Sequence, residues 1–202
     1  LAIGTGTDTI GNFVDALTES NSIYIGSNPT STTSSADNNV ALGISTLDAV
    51  TTGDRNTAVG FRAATDVTTG QDNTAIGKDA MYANTTSNYS TAVGSQAMGT
   101  LDGAGTSTAV GYFAMNAHSG DNSVAVGAYS MRTGSNAYNV AVGVSAMTKV
   151  SGGAGGVAVG YQSGYHPTGN YNTWVGYNAG FGTAAGSAEL NVGIGREALM
   201  NI

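Results

Sequence analysis

Twelve short apolar runs in this chain each end in glycine: Gly4, Gly26, Gly43, Gly60, Gly77, Gly94, Gly111, Gly127, Gly143, Gly160, Gly176 and Gly195. Nine of the eleven intervals between them are 16 or 17 residues; the first is 22 and the last is 19. A period this short is one coil of a rod, in which each repeat buries its apolar face only against its neighbours. The expected fold is all-β, a parallel β-solenoid or β-roll with about one 16–17-residue coil per repeat. Residues 39–202 are the expected repetitive solenoid, and 1–38 an irregular entry segment with two partial coils. Within 1–38, the insertion Ile10-Gly11-Asn12-Phe13-Val14-Asp15-Ala16-Leu17 reads as a short helix or an extra strand.

The copies align on their glycine. Asn56-Thr57-Ala58-Val59-Gly60-Phe61-Arg62-Ala63-Ala64 is followed by Asn73-Thr74-Ala75-Ile76-Gly77-Lys78-Asp79-Ala80-Met81, and later copies keep the pattern. Side chains alternate along a strand, so Thr57 and Val59 share one face while Ala58 and Gly60 share the other. The Ala/Gly face admits another layer at close range. Three residues after the glycine there is usually a small residue (Ala63, Ala80, Ala97, Ala114, Ser130, Ala146), and Met or Leu often follows it (Met81, Met98, Met115, Met131, Met147, Leu199). Met fills irregular gaps, so that column reads as core. Each coil is expected to hold two strands of ~5 residues and two turns, stacked about 4.8 Å apart.

So thin a coil offers little apolar burial to set against its backbone entropy. Something must cover the second apolar row, and a symmetric homo-oligomer does so because every coil contributes the same row to a shared axis. A homotrimer is expected, side by side or intertwined. The Val/Ile column (Val59, Ile76, Val93, Val110, Val126, Val142, Val159, Val175) or its Thr/Val neighbour would form the trimer and coil core.

Composition narrows the function. Charged residues make up 9% of the chain, so Ser, Thr and Asn must hydrate its surface. With six Lys and Arg and a net charge of −7, there is no basic track for nucleic acid or an anionic membrane. Cysteine is absent, which removes disulfides and thiolate chemistry. No apolar run approaches the ~18 residues of a membrane-spanning helix. The chain opens and closes in mid-repeat, at Leu1-Ala2-Ile3-Gly4 and Ile202, and reads as an excerpt of a longer polypeptide.

Asn122-Ser123-Val124-Ala125-Val126-Gly127 resembles the head repeat of YadA-like trimeric autotransporter adhesins, which form left-handed parallel β-roll trimers. The longer form here, Asn-Thr-Ala-Val/Ile-Gly-x-x-Ala-Met with Thr-Thr-Gly turns, is similar to repeats of bacteriophage tail fibres. The resemblance implies an extracellular attachment fibre segment for host-cell or surface recognition. A virion tail fibre is favoured by the longer repeat, and the head of a bacterial outer-surface adhesin is the alternative. A cell-surface glycan or protein receptor is the implied partner.

Candidate sites lie where the repeat departs from itself. The Ala before the motif glycine becomes Tyr24 in one copy and Trp174 in another. Around Trp174 stand Tyr161, Tyr165, Tyr171, Tyr177 and Phe181, a grouping suited to stacking on a pyranose; the plainer reading is that the rings staple turns where the Met column gives way to Gly164 and Gly180. Asp37, Asp54, Asp72 and Asp121 recur before the strand and read as turn caps, since one carboxylate per coil does not converge on a metal. His118 and His166 lack a matched nucleophile or carboxylate, and no catalytic set assembles, so neither enzyme activity, cofactor nor metal is expected. Asn84-Thr85-Thr86 and Asn88-Tyr89-Ser90 match glycosylation acceptors as well as turns. The column Thr57, Thr74, Thr91, Thr108 leaves ice binding as a remoter reading, and Asp48, Asp54 and Glu189 do not form the carboxylate pair of a polysaccharide depolymerase.

Overall fold

The computed structural model describes residues 16–19, 21–27, 29, 35–100, 105–166, 169–182 and 189–200. The copy ending at Gly4 and the residues Ile10 to Asp15 lie outside the described residues. Strands follow one another as β1 (Ala16–Glu19), β2 (Ser22–Ile25), β3 (Val40–Leu42), β4 (Thr57–Val59), β5 (Thr74–Ile76), β6 (Thr91–Val93), β7 (Thr108–Val110), β8 (Ala117–His118), β9 (Val124–Val126), β10 (Thr133–Gly134), β11 (Val140–Val142), β12 (Lys149–Val150), β13 (Val157–Val159), β14 (Thr173–Val175) and β15 (Val192–Ile194). Twelve of them form one sheet in chain order, skipping β8, β10 and β12. From β2 onward every pairing is parallel and aligns equivalent residues, as Ala58 with Ala75 and Val59 with Ile76. The chain is thus a parallel β-solenoid. Ala16 and Leu17 of the insertion belong to β1, an extra strand that runs antiparallel to β2.

The expected coil of two five-residue strands needs correction. The main strands hold three residues or four, and the opposite side is mostly turns. Among the described residues only β8, β10 and β12 pair there, as a parallel sheet of two-residue strands. The cause is backbone handedness. In most coils three non-glycine positions take positive φ, for example Arg55, Arg62 and Ala64 in one coil and Asp72, Asp79 and Met81 in the next, while Gly155, Gly164 and Gly180 stand at these positions in two later coils. Such a conformation costs roughly 1 kcal/mol or more per residue. It also turns the local amide along the rod axis, where a neighbouring coil receives it. Arg62 N–H donates to Ile44 O (2.9 Å), Met81 N–H to Ala97 O (3.0 Å) and Tyr89 N–H to Gln71 O (3.0 Å).

The coil core is small and repetitive. Ala58, Ala75, Ala92 and Ala109 point inward from the strands and are fully buried, as are Ala63, Ala80, Ala97 and Ala114 across from them. Leu47, Met81, Met98, Met115, Met131 and Met147 fill the space between. Asn56 closes one corner: its Nδ2 donates to Gly70 O (2.8 Å), and its Oδ1 accepts the Asn73 N–H of the next coil (3.0 Å). Ser90, Ser107 and Ser123 continue that ladder with a shorter reach, so Ser107 N–H meets Ser90 Oγ at 3.3 Å.

From Gly43 to Gly176 the motif glycines sit at tight axial contacts. At Gly94 φ is +132°, and a Cβ there would stand 2.5 Å from the Gly111 carbonyl oxygen of the next coil. Gly105, by contrast, has open space where a Cβ would go. In urea unfolding followed by circular dichroism, Gly94→Ala should lose about 2 kcal/mol or more. Gly105→Ala should stay within about 0.5 kcal/mol of wild type.

Candidate functional site

The face built from residues one and three positions before each glycine points away from the coil. Ile76, Val110, Val126, Val142 and Val159 are 36–39% exposed, and Val59, Val93 and Val175 are half-buried. The coil-core part of the expectation for this column is therefore corrected: the interior belongs to Ala, Met and Asn, because alternation sends Val outward when Ala points in. Val40, Val124 and Val192 are exposed beside them, with Thr57, Thr74, Thr91 and Thr108 half-buried between. Ile44, Phe61, Tyr112, Val144, Tyr161 and Tyr177, one residue past the glycine, are exposed next to this row.

The resulting stripe is long and continuous. Eleven parallel strands at ~4.8 Å and two outward columns give roughly 50 Å by 10 Å, or about 500 Å². That is near the upper end of the ~300–600 Å² typical of the largest apolar patch on a monomer. Adding the column past the glycine brings it towards the ~800 Å² that each partner contributes to a stable complex.

The aromatic group around Trp174 is not a common platform. Trp174 is 5% exposed, its indole inside the coil. A Cβ on Gly164 would lie 2.7 Å from indole Cδ1, one on Gly193 would lie 2.9 Å from Cε3, and Gly180 is closer still. Two glycines in the Met column and one in the strand column thus vacate the volume that the indole fills. Burial removes Trp174 from any surface sugar contact. Tyr161 stacks on Tyr177 (centroids 5.3 Å apart, 15° between planes), and Tyr165 stacks on Phe181 (5.2 Å, 30°). These pairs join successive coils. Tyr171 stands at a different corner, exposed, with its ring over Gly155. Tyr24, the counterpart of Trp174 near the other end, is also fully buried.

The turn aspartates act between coils. Asp54 Oδ1 accepts the Asp37 N–H (2.8 Å), and Asp121 Oδ1 accepts the Gly105 N–H (2.7 Å). Asp72 pairs with Arg55, whose Nε lies 2.7 Å from Oδ1, and that hydrogen bond holds the carboxyl below its ordinary range. Among the described residues no cluster of three or more His, Asp or Glu is placed to hold a metal ion. No helix among them is long and apolar enough to cross a membrane. Asn84 is fully buried, and its Oδ1 accepts the Ser87 N–H (3.2 Å), so a glycan on it is incompatible with the folded coil.

His118 is a core residue that its isolation in sequence does not reveal. It occupies the inward column of Val50, Val67 and Asn84 and is fully buried. Gly134 and Gly120 leave room for its ring: a Cβ on either would stand 3.0 Å from Nδ1 or 2.8 Å from Nε2. Neither ring nitrogen has a hydrogen-bond partner of good geometry among the described residues. Burial pushes its pKa down to about 4, with the Asn136 backbone opposing weakly.

No family model matches this chain, and no curated protein matches it either.

Two measurements follow from the buried pair. The chain has one tryptophan, so emission reports Trp174 alone. It should be blue-shifted and poorly quenched by acrylamide, and Trp174→Ala should cost about 3–5 kcal/mol through the cavity left among three glycines. His118 takes up a proton near pH 6.5 when unfolded but only near pH 4 when folded. Its contribution is complete above about pH 6.5 and is lost as pH falls towards 4, a change of about 3 kcal/mol. Unfolding midpoints should drop across that window for wild type and stay flatter for His118→Leu.

Proposed function

We propose that this chain is a segment of a trimeric attachment fibre, extracellular and carried on a virion tail or a bacterial surface. One observation supports the reading above all: an outward row of Val, Ile and Leu, exposed or half-buried, runs from strand to strand of the sheet and is left uncovered by the described residues. A rod cannot tuck such a row inside, because its interior is already closed by Ala and Met. Three copies arranged about an axis parallel to the rod bring the three rows together, coil against equivalent coil. Few charges and a hydroxyl- and amide-rich remainder suit a shaft that stands in solvent. The repeat's resemblance to tail-fibre sequences favours the virion, where such a segment spaces or presents a receptor-binding surface. Asn122 to Gly127, the copy nearest the adhesin-head motif, keeps the bacterial surface as the second reading.

Light scattering on the purified chain should return three times the mass of one chain. A double substitution in the row, Val110→Asp with Val126→Asp, should dissociate the assembly and lower the melting temperature. A monodisperse single chain that melts cooperatively would overturn the trimer and the attachment role inferred from it.

A further inference from the structure

The column five residues past the motif glycine reads Thr65, Tyr82, Gly99, Asn116, Arg132 and Thr148 in successive coils. Gly99 is the member with no side chain, and a cleft of about 160 Å³ opens there. Tyr82 belongs to the coil before the gap and Asn116 to the coil after it; Arg62, Asp79 and Gln96, all two residues past a motif glycine, form the adjoining wall. None of these residues belongs to the outward Val/Thr columns, so the cleft does not compete with that row for its surface.

The wall is built, not incidental. Arg62 Nε donates to Asp79 Oδ1 at 2.7 Å, and its Cζ lies 4.2 Å from the centroid of the Tyr82 ring. Asp79 is also held by Lys78 Nζ, and its side chain is only 6% exposed. Burial works against its charge, but the hydrogen bonds from Lys78 and Arg62 outweigh it, and the carboxyl sits below its ordinary range. The guanidinium is therefore held over the Tyr82 ring through Nε alone, and its two Nη groups have no protein acceptor among the described residues. The backbone of Gln96 is engaged, its carbonyl accepting Asn116 Nδ2 at 3.0 Å, while its side-chain amide has no partner among the described residues. Thr100 Oγ1 closes the rim by donating to Asn116 O at 2.7 Å.

We propose that this cleft binds a single neutral pyranose residue of a cell-surface glycan. A pyranose presents a C–H face, which suits an aromatic ring with room beside it, and vicinal hydroxyls that both donate and accept. The forked Nη groups of Arg62 supply paired donors, and the Gln96 amide supplies one donor group and one acceptor. Arg62 and Lys78 share the Asp79 carboxylate, and of the two cations only Arg62 lines the cleft. Within the lining one cation therefore faces one anion, and a phosphate or sulfate that bound in preference to the glycosides would overturn the choice of a neutral ring. The cleft is well below the ~300–1,000 Å³ of sites for drug-sized ligands, so it takes one ring and not a chain of them. The inference rests on the attachment reading for the source of the sugar, and its chemistry stands on the cleft.

The test is saturation-transfer NMR on the intact chain with the methyl glycosides of glucose, galactose, mannose and N-acetylglucosamine, followed by an array of glycans ending in the responding sugar. At least one glycoside should show transfer, and glycans ending in it should bind. Gln96→Ala and Tyr82→Ala should each weaken binding about tenfold, the scale of one lost hydrogen bond or ring contact. Gly99→Leu should abolish it, because its side chain would displace the Asn116 amide into the cleft and occupy the remaining space, while Tyr171→Ser, remote from the cleft, should leave it unchanged. Melting curves identify any variant that has unfolded, and Gln96→Ala, whose amide makes no hydrogen bond among the described residues, remains the decisive one. No transfer from any glycoside, a signal that survives Gln96→Ala and Gly99→Leu, or binding of free glycosides without any glycan overturns the proposal. The mass of the same sample reports the trimer separately, so either reading can fail without the other.

Discussion

Axial self-contact governs this molecule. In a solenoid with a rise of about 4.8 Å, most residues have their own counterparts as their nearest neighbours, one coil above and one below. A column must therefore tolerate itself. Gly94 shows the strictest case, because a single methyl group there would run into the carbonyl of the next glycine. Asn56 and Asn73 show the favourable case, in which each amide satisfies the coil beside it and is satisfied in turn.

The same rule explains where large residues sit. A bulky inward side chain is admitted only where its neighbours in the stack shrink. Trp174 enters a column of alanines because Gly164, Gly180 and Gly193 withdraw around it. His118 enters a column of valines because Gly134 and Gly120 do the same. Both look in sequence like chemical groups standing apart from the pattern, and both are core. At Gly99 the withdrawn side chain admits only the Asn116 amide, which reaches across to the Gln96 carbonyl, and a cleft remains beside it.

Handedness has the complementary role. The Met side chains reach the interior from residues with φ near +50°, a conformation that glycine adopts freely and methionine does not. That strain recurs in coil after coil and is offset by hydrogen bonds running along the rod. It also keeps the turn side from becoming a second full sheet. The single continuous sheet is left to carry the outward apolar row, and the row is what calls for a partner.

The glycine interval and the strand alternation by themselves determined the parallel solenoid, the inward alanines, the Met core and the placing of Thr57 and Val59 together on the face opposite Ala58. These follow from periodicity, which is a one-dimensional property. That the face of Thr57 and Val59 turns outward, away from the coil core, was shown only by the structure. The three-residue strands, the left-handed turns, the burial of Trp174 and His118, the separation of Tyr161, Tyr165 and Tyr171 onto different corners and the gap at Gly99 were decided only in three dimensions. Each depends on which residue of one coil lies against which residue of the next, and coils of 16, 17 and 19 residues bring together positions that spacing along the chain does not reveal.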